Sequence, residues 1–195
     1  MIVDTHLLIS NILFKRLSNN IDFKLDRVAF AYGNVKPDFT NKDIKCQHTL
    51  EDSLISVTNY SKKLMRDDIS IQKFSEGLGV VCHFACDYFC IYHRDGNEKK
   101  GAFEHLYYEM ILHIRLIRLL ARRKLRPNNN DMPDDSVEEI VLNLQKKYNT
   151  EEACLDRDIN YALVAATQIS KLIVYSSQLY FEQNKEQIIE KYILR

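Results

Sequence analysis

Apolar positions recur at three- and four-residue steps along almost the whole chain, the period of helices lying on a core. Leu7, Leu8, Ile12, Leu13 and Leu17 form one stripe and predict a helix over Thr5–Leu17, capped by Asp4 or Thr5. The polar stretch Ser18–Lys24 then leads to a short helix over Leu25–Tyr32, which Gly33 should end. Pro37 biases Lys36 away from helical angles, so Asp38 is expected on an ordered, non-helical turn. Leu50, Leu54, Val57 and Leu64 mark a helix from near Gln47 to about Met65, with His48 in its first turn. The next helix starts at Asp68 or Ser70 and runs to about Cys90. Between Leu78 and Ile91 it is apolar on nearly every side, the pattern of a helix at the centre of a fold. A polar loop, Arg94–Gly101, precedes a long helix over Ala102–Arg126. Beyond the loop Pro127–Asp135, helices are expected over Ser136–Tyr148, from Thr150, over Asp156–Phe181 and over Asn184–Leu194. The pattern predicts an all-α fold, a multi-helix bundle around the central helix, with one domain over residues 1–195.

Two residues break the apolar surface of the central helix, His83 and Asp87. An ionised carboxylate buried among apolar side chains costs several kcal/mol unless it is paired or bound to a metal. The sequence near Asp87 offers no obvious arginine partner. A hydrogen-bonded Asp–His pair and a metal site both satisfy the requirement, and a second pair favours the metal. His105 and Glu109 repeat the four-residue spacing, so each pair leaves one helix face a turn apart. His93 lies between the pairs, at the end of the first segment. Taken alone, His6 and His48 read as polar or capping residues at helix starts.

Composition narrows the field. Lys+Arg and Asp+Glu are both 27, so the chain has no net charge and lacks the basic excess usual in proteins built to hold nucleic acid. Arg115, Arg118, Arg122, Arg123, Lys124 and Arg126 do crowd one helix end. There they complement the helix dipole and stay solvated, a reading preferred over a patch for phosphates or anionic membrane. The five cysteines, Cys46, Cys82, Cys86, Cys90 and Cys154, form no C-x-x-C pair and are expected to be small core residues in a reducing compartment. Asp4 and His6 interrupt any leader-like apolar run, and no stretch approaches the ~20 apolar residues that span a bilayer. The expectation is a cytoplasmic protein.

His6, the Pro37-Asp38 turn, His48, His83-x-x-x-Asp87, His93 and His105-x-x-x-Glu109 stand in an order that resembles the zinc-dependent phospholipases C of Gram-positive bacteria. The contexts Gly79-x-x-x-His83 and Tyr92-His93 fit as well, and the order is also similar to that of the three-zinc single-strand nucleases of fungi and plants. The resemblance implies an all-α fold of the phospholipase C/P1 nuclease type with a metal cleft and two to three zinc ions. It implies that Asp38, His48, His83 and Asp87 hold one zinc, and that His93, His105 and Glu109 hold a second. A third would bind Asp87 and His6, completed in the family by the chain's own terminal amine and carbonyl, usually of a tryptophan. This chain has no Trp, and Met1 stands five residues before His6, so the third site is in question, with Asp4 as a substitute ligand.

The activity implied is metal-assisted hydrolysis of a phosphodiester, hydroxide attacking phosphorus in line, with Asp38 as the catalytic residue that orients or deprotonates the water. The His-x-x-x-Glu form of the last pair favours phospholipid, cleaved to diacylglycerol and a phosphorylated head group, with peripheral membrane contact. A nuclease or soluble phosphodiesterase using the same zinc site, or a non-catalytic metal-binding helical protein, are the alternatives.

Overall fold

The computed structural model describes residues 1–40, 42–93, 101–125 and 136–183. The loops expected over 94–100 and 127–135, Arg126 and the terminal helix expected over 184–194 lie outside them. Among the described residues there are eight α-helices, one 3₁₀ turn and no strand. They are α1 (Val3–Asn20), α2 (Arg27–Phe39), α3 (Leu50–Arg66), α4 (Ile71–Asp87), the 3₁₀ turn Ile91–His93, α5 (Ala102–Ala121), α6 (Val137–Tyr148), α7 (Leu155–Tyr175) and α8 (Gln178–Gln183). No helix among these residues is long and apolar enough to cross a membrane.

Short polar side chains start most of these helices by accepting otherwise unpaired backbone N–H groups. Asp26 caps α2 through Ala29 N–H at 2.9 Å, Thr49 caps α3 through Asp52 N–H at 3.3 Å and Ser70 caps α4 through Lys73 N–H at 3.3 Å. Ser136 and Glu139 form a reciprocal capping box on α6. Helix α1 departs from expectation: it begins at Val3 after Ile2, without a side-chain cap. Thr5 instead meets His113 Nδ1 of α5 at 3.0 Å.

Helix α4 is the axis of the fold. Every residue from Gly77 to Cys90 is buried, with α1, α2, α3 and α7 packed against the helix. Its tightest neighbour is α2, because two glycines remove the side chains that would hold the backbones apart. A Cβ on Gly79 would stand 2.3 Å from Phe30 O, and one on Gly33 only 2.0 Å from Glu76 O. Gly33 therefore does not end a helix, as expected from sequence; it is the crossing point of one that continues. The expectation of a non-helical Pro37-Asp38 turn is also overturned, since α2 runs through Pro37 to Phe39. Pro37 stands near the C-terminus, where its missing N–H and ring disturb the last turn alone. Lys36 fastens that end, with Nζ 2.6 Å from Glu76 of α4 and 2.7 Å from Asp43.

Other boundaries shift for tertiary reasons. Helix α4 stops at Asp87, short of Cys90, where two distant partners take up the emerging backbone: Gln145 Nε2 donates to Tyr88 O at 3.0 Å, and Ile91 N–H donates to Asp158 at 3.1 Å. His48 precedes α3 and is not in its first turn. Thr150–Glu152 form a turn, with α7 starting beyond them at Leu155, and the expected helix over Asp156–Phe181 breaks at Ser176 and Ser177. Of the cysteines, Cys82, Cys86 and Cys90 are buried, whereas Cys154 is exposed, its sulfur accepting from Arg157 N–H to cap α7.

Candidate metal centre

The last turn of α4 places His83 and Asp87 one above the other, both fully buried. Around Asp87 the packing of α1, the segment before α3 and the 3₁₀ turn gathers imidazoles from four parts of the chain. Asp87 Oδ2 is 3.2 Å from His83 Nε2, 3.1 Å from His48 Nδ1 and 3.8 Å from His93 Nδ1. Asp87 Oδ1 faces His6 Nε2 at 3.3 Å and the Met1 amine at 2.7 Å. His83 Nε2 and His48 Nδ1 are themselves 3.1 Å apart, and Asp38 Oδ1 lies 3.8 Å from His83 Nε2. On the other side, Glu109 Oε1 is 2.9 Å from both His93 Nε2 and His105 Nε2. All eight residues singled out in the sequence thus meet in one place. His113 does not join them, being held by Thr5.

The close crossing of α2 and α4 also decides the chemistry of His83. Asn34 O of α2 lies 2.9 Å from His83 Nδ1 and can only accept, so Nδ1 carries a proton and Nε2 is turned toward the cluster. His6, stacked 3.9 Å from His83, has its Nδ1 buried without a hydrogen-bond partner, and its Nε2 meets Asp87 Oδ1 at 3.3 Å outside good hydrogen-bond geometry. Burial, with His83 beside it, lowers His6 to about 3, so its ring is neutral at ordinary pH. A fully buried imidazole with a nitrogen left unsatisfied is costly unless something occupies the space it faces. Burial raises the Asp38 carboxyl. Burial opposes ionisation of Asp87 and Glu109 too, but it is outweighed. His93, the Met1 amine, His6 and His83 hold Asp87 well below the usual carboxylate range, while His93 and the amine bring Glu109 down to about 2.

Among the described residues four groups each have their ligand atoms within 4.8 Å of one another: His6, His83 and Asp87; Asp38, His48 and His83; His48, Asp87 and His93; and Cys90, His93 and Glu109. Neutral imidazole nitrogens and carboxylate oxygens are the donor set of zinc, so the residues fit that ion. Three side chains form the open side of the cluster, Asp38 at 21%, His48 at 18% and His105 at 35% exposure, while the rest are largely or wholly buried.

A sequence model of the family described as zinc dependent phospholipase C matches residues 5–164 of the chain. The chain belongs to the zinc-dependent phospholipase C family. The matched span holds every candidate ligand from His6 to Glu109 and ends within α7. No curated protein matches the chain, and no solved structure does. Zinc dependence thus accompanies the family, and the His and carboxylate groups of this member supply places for the metal.

Two participants, Cys90 and Asp158, were not legible in the sequence, and a third, the terminal amine, was raised only by the family resemblance. The Met1 amine reaches Asp87, His93 at 3.0 Å and Glu109 at 3.1 Å, and the two carboxylates lift it to about 11 against the pull of burial. Asp4, the substitute ligand expected from sequence, is instead exposed on α1. The gap of five residues before His6 is spanned because α1 begins at Val3, leaving Met1 and Ile2 extended toward the site. Cys90, read as a core residue, lies within reach of His93 and Glu109; its place three residues after Asp87 was the available signal. Asp158 of α7, fully buried, accepts from Ile91 N–H, from Tyr108 OH at 2.5 Å and from Tyr148 OH at 2.7 Å, so it ties the 3₁₀ turn bearing His93 to the helix bearing Glu109. A groove of about 500 Å³ between α5 and the start of α7 shares no residue with this cluster.

Proposed function

We propose that this chain is a phospholipase C that hydrolyses a glycerophospholipid to diacylglycerol and a phosphorylated head group. The observation supporting it is the convergence of His48, His83 and His93 on the buried Asp87, with Asp38 beside His83, in a member of this family. In this reading Asp38, His48, His83 and Asp87 hold one zinc, His93, His105 and Glu109 a second, and His6, Asp87 and the Met1 amine a third. Bound zinc would supply Lewis acidity toward the phosphoryl oxygens and lower the pKa of water.

The chain's own groups do the rest. Asp38, part-exposed and raised by burial, stands where substrate enters and is suited to orient the attacking water and take its proton. His83, locked by Asn34 O, keeps its Nε2 directed inward. The apolar shell of α4 keeps bulk water from the inner carboxylate and so strengthens the electrostatics of the site. No serine, cysteine or lysine nucleophile is required.

The test is to present the zinc-loaded protein with phosphatidylcholine and, separately, with single-stranded DNA. Diacylglycerol and phosphocholine are the expected products. Cleavage of DNA alone would make the protein a nuclease, and bound zinc with no hydrolysis of either would leave a metal-binding helical protein.

A further inference from the structure

Helix α5 has an unusual outer surface. At about 100° per residue, Phe103, Leu106, Tyr107, Met110, Ile114 and Ile117 fall within an arc roughly 100° wide, opposite the buried Leu112 and Leu116. All six are exposed, from 45% at Ile114 to 80% at Phe103. No charged residue of α5 falls inside the arc, although a helix on a domain surface normally carries its polar residues there. Such a continuous apolar strip marks a face that meets something other than water.

The border of the strip identifies the partner. Exposed Arg118, Arg122, Arg123 and Lys124 close the strip at its C-terminal end, on a chain with no net charge. An apolar face bordered by clustered cations is the combination that seats a helix at the boundary of an anionic bilayer. His105, on the open side of the cluster, leaves the same helix about 150° from the centre of the strip, on the side of the buried Leu112, so the strip faces away from the metal ligands of α5. Phe39, next to Asp38 on the open side of the cluster, is itself 72% exposed.

We infer that the outward face of α5 docks on the surface of an anionic phospholipid bilayer. This rests on the phospholipase reading for its purpose, but docking is measured without turnover. The chain has no tryptophan, so Phe103→Trp in the zinc-loaded full-length protein is the sole indole reporter. Vesicles of phosphatidylcholine with phosphatidylserine should shift its emission to the blue, and added salt should reduce the effect. Val28→Trp, equally exposed on α2, should not respond. Phe103→Asp should lower the vesicle-bound fraction's partition coefficient about tenfold in co-sedimentation, as expected from keeping a phenyl ring out of water.

An unshifted Phe103→Trp, or equal shifts at both positions, overturns the inference. So does a blue shift that follows protein concentration without lipid, which would make this face a contact between two copies of the chain. A lipid-dependent shift with no release of diacylglycerol leaves docking in place and removes the phospholipase reading. Diacylglycerol release without a shift does the reverse.

Discussion

Asp87 is surrounded by four imidazoles and an amine, so its charge and its shape are separable. Asp87→Asn retains the volume but removes the charge that the surrounding groups share. The expected result is loss of bound zinc, by elemental analysis, and activity toward phosphodiesters below about a hundredth of the parent's. Asp38→Asn should behave differently, because Asp38 is at the opening and meets His83 at 3.8 Å. It should retain at least the inner metal and lower kcat about 10²–10⁴-fold, the range typical of a removed general base, with little change in KM. A parallel loss of zinc and activity in Asp38→Asn would reduce Asp38 to a ligand. The His83 and Asp87 pair was legible in sequence because a polar pair on an all-apolar helix has few explanations. The Met1 amine came only from the family resemblance, with its role left in question, since nothing in residue order tells how far an extended terminus reaches.

Among the elements, the crossing of α2 and α4 and the turn after α4 control the site. Gly79→Ala would place a methyl group 2.3 Å from Phe30 O, and backbone cannot yield as a flexible side chain can. The helices must part, at a cost of about 1–3 kcal/mol or more by analogy with overpacked cores. The bond from His83 Nδ1 to Asn34 O should lengthen with them. Thermal unfolding would give the first effect and zinc affinity the second. An unchanged Tm would show that the crossing is looser than described. Asp158→Asn should loosen the turn that carries His93, weakening zinc binding about 10–100-fold, as is common when a group behind a ligand is lost. Here the sequence pattern misled: Gly33 and Pro37 are the strongest local breakers in the region, yet both lie in a continuing helix. Local propensity was overridden by contact with α4, which only the assembled fold supplies.

At the scale of the whole molecule, groups from most of the bundle share one charge cluster, so folding and protonation are linked. His6 falls from 6.5 when unfolded to about 3 when buried. The unfolded chain therefore takes up its proton first as pH drops, and stability of the metal-free protein is lost between those values, by up to about 1.4 kcal/mol per pH unit from this group. Glu109, lowered from 4.5 to about 2, adds a further loss below 4.5. The Met1 amine, raised from 8.0 to about 11, has the opposite sign: its contribution is full below 8.0 and lost as pH rises toward 11. Urea unfolding of chelator-treated protein should show greatest stability between the unfolded values of His6 and the amine, 6.5 and 8.0. A maximum below pH 5 would contradict it. Zinc at 100 times its Kd should add about 2.7 kcal/mol per site, because it binds the folded chain selectively.

Residue order alone determined the helical class, the central helix, the stripes that face the core and the paired spacing of His83/Asp87 and His105/Glu109, whereas His6, Asp38 and His48 became candidates only through the family resemblance. The former are properties of spacing: a 3.6-residue repeat decides which side chains share a face, and a carboxylate set among apolar neighbours declares its need for a partner. Tertiary structure decided where helices bend, stop or continue, which carbonyl orients His83, and that the terminal amine and Cys90 stand beside the cluster. Those outcomes depend on atoms distant in sequence arriving within 3–4 Å of each other, and no local pattern carries that distance.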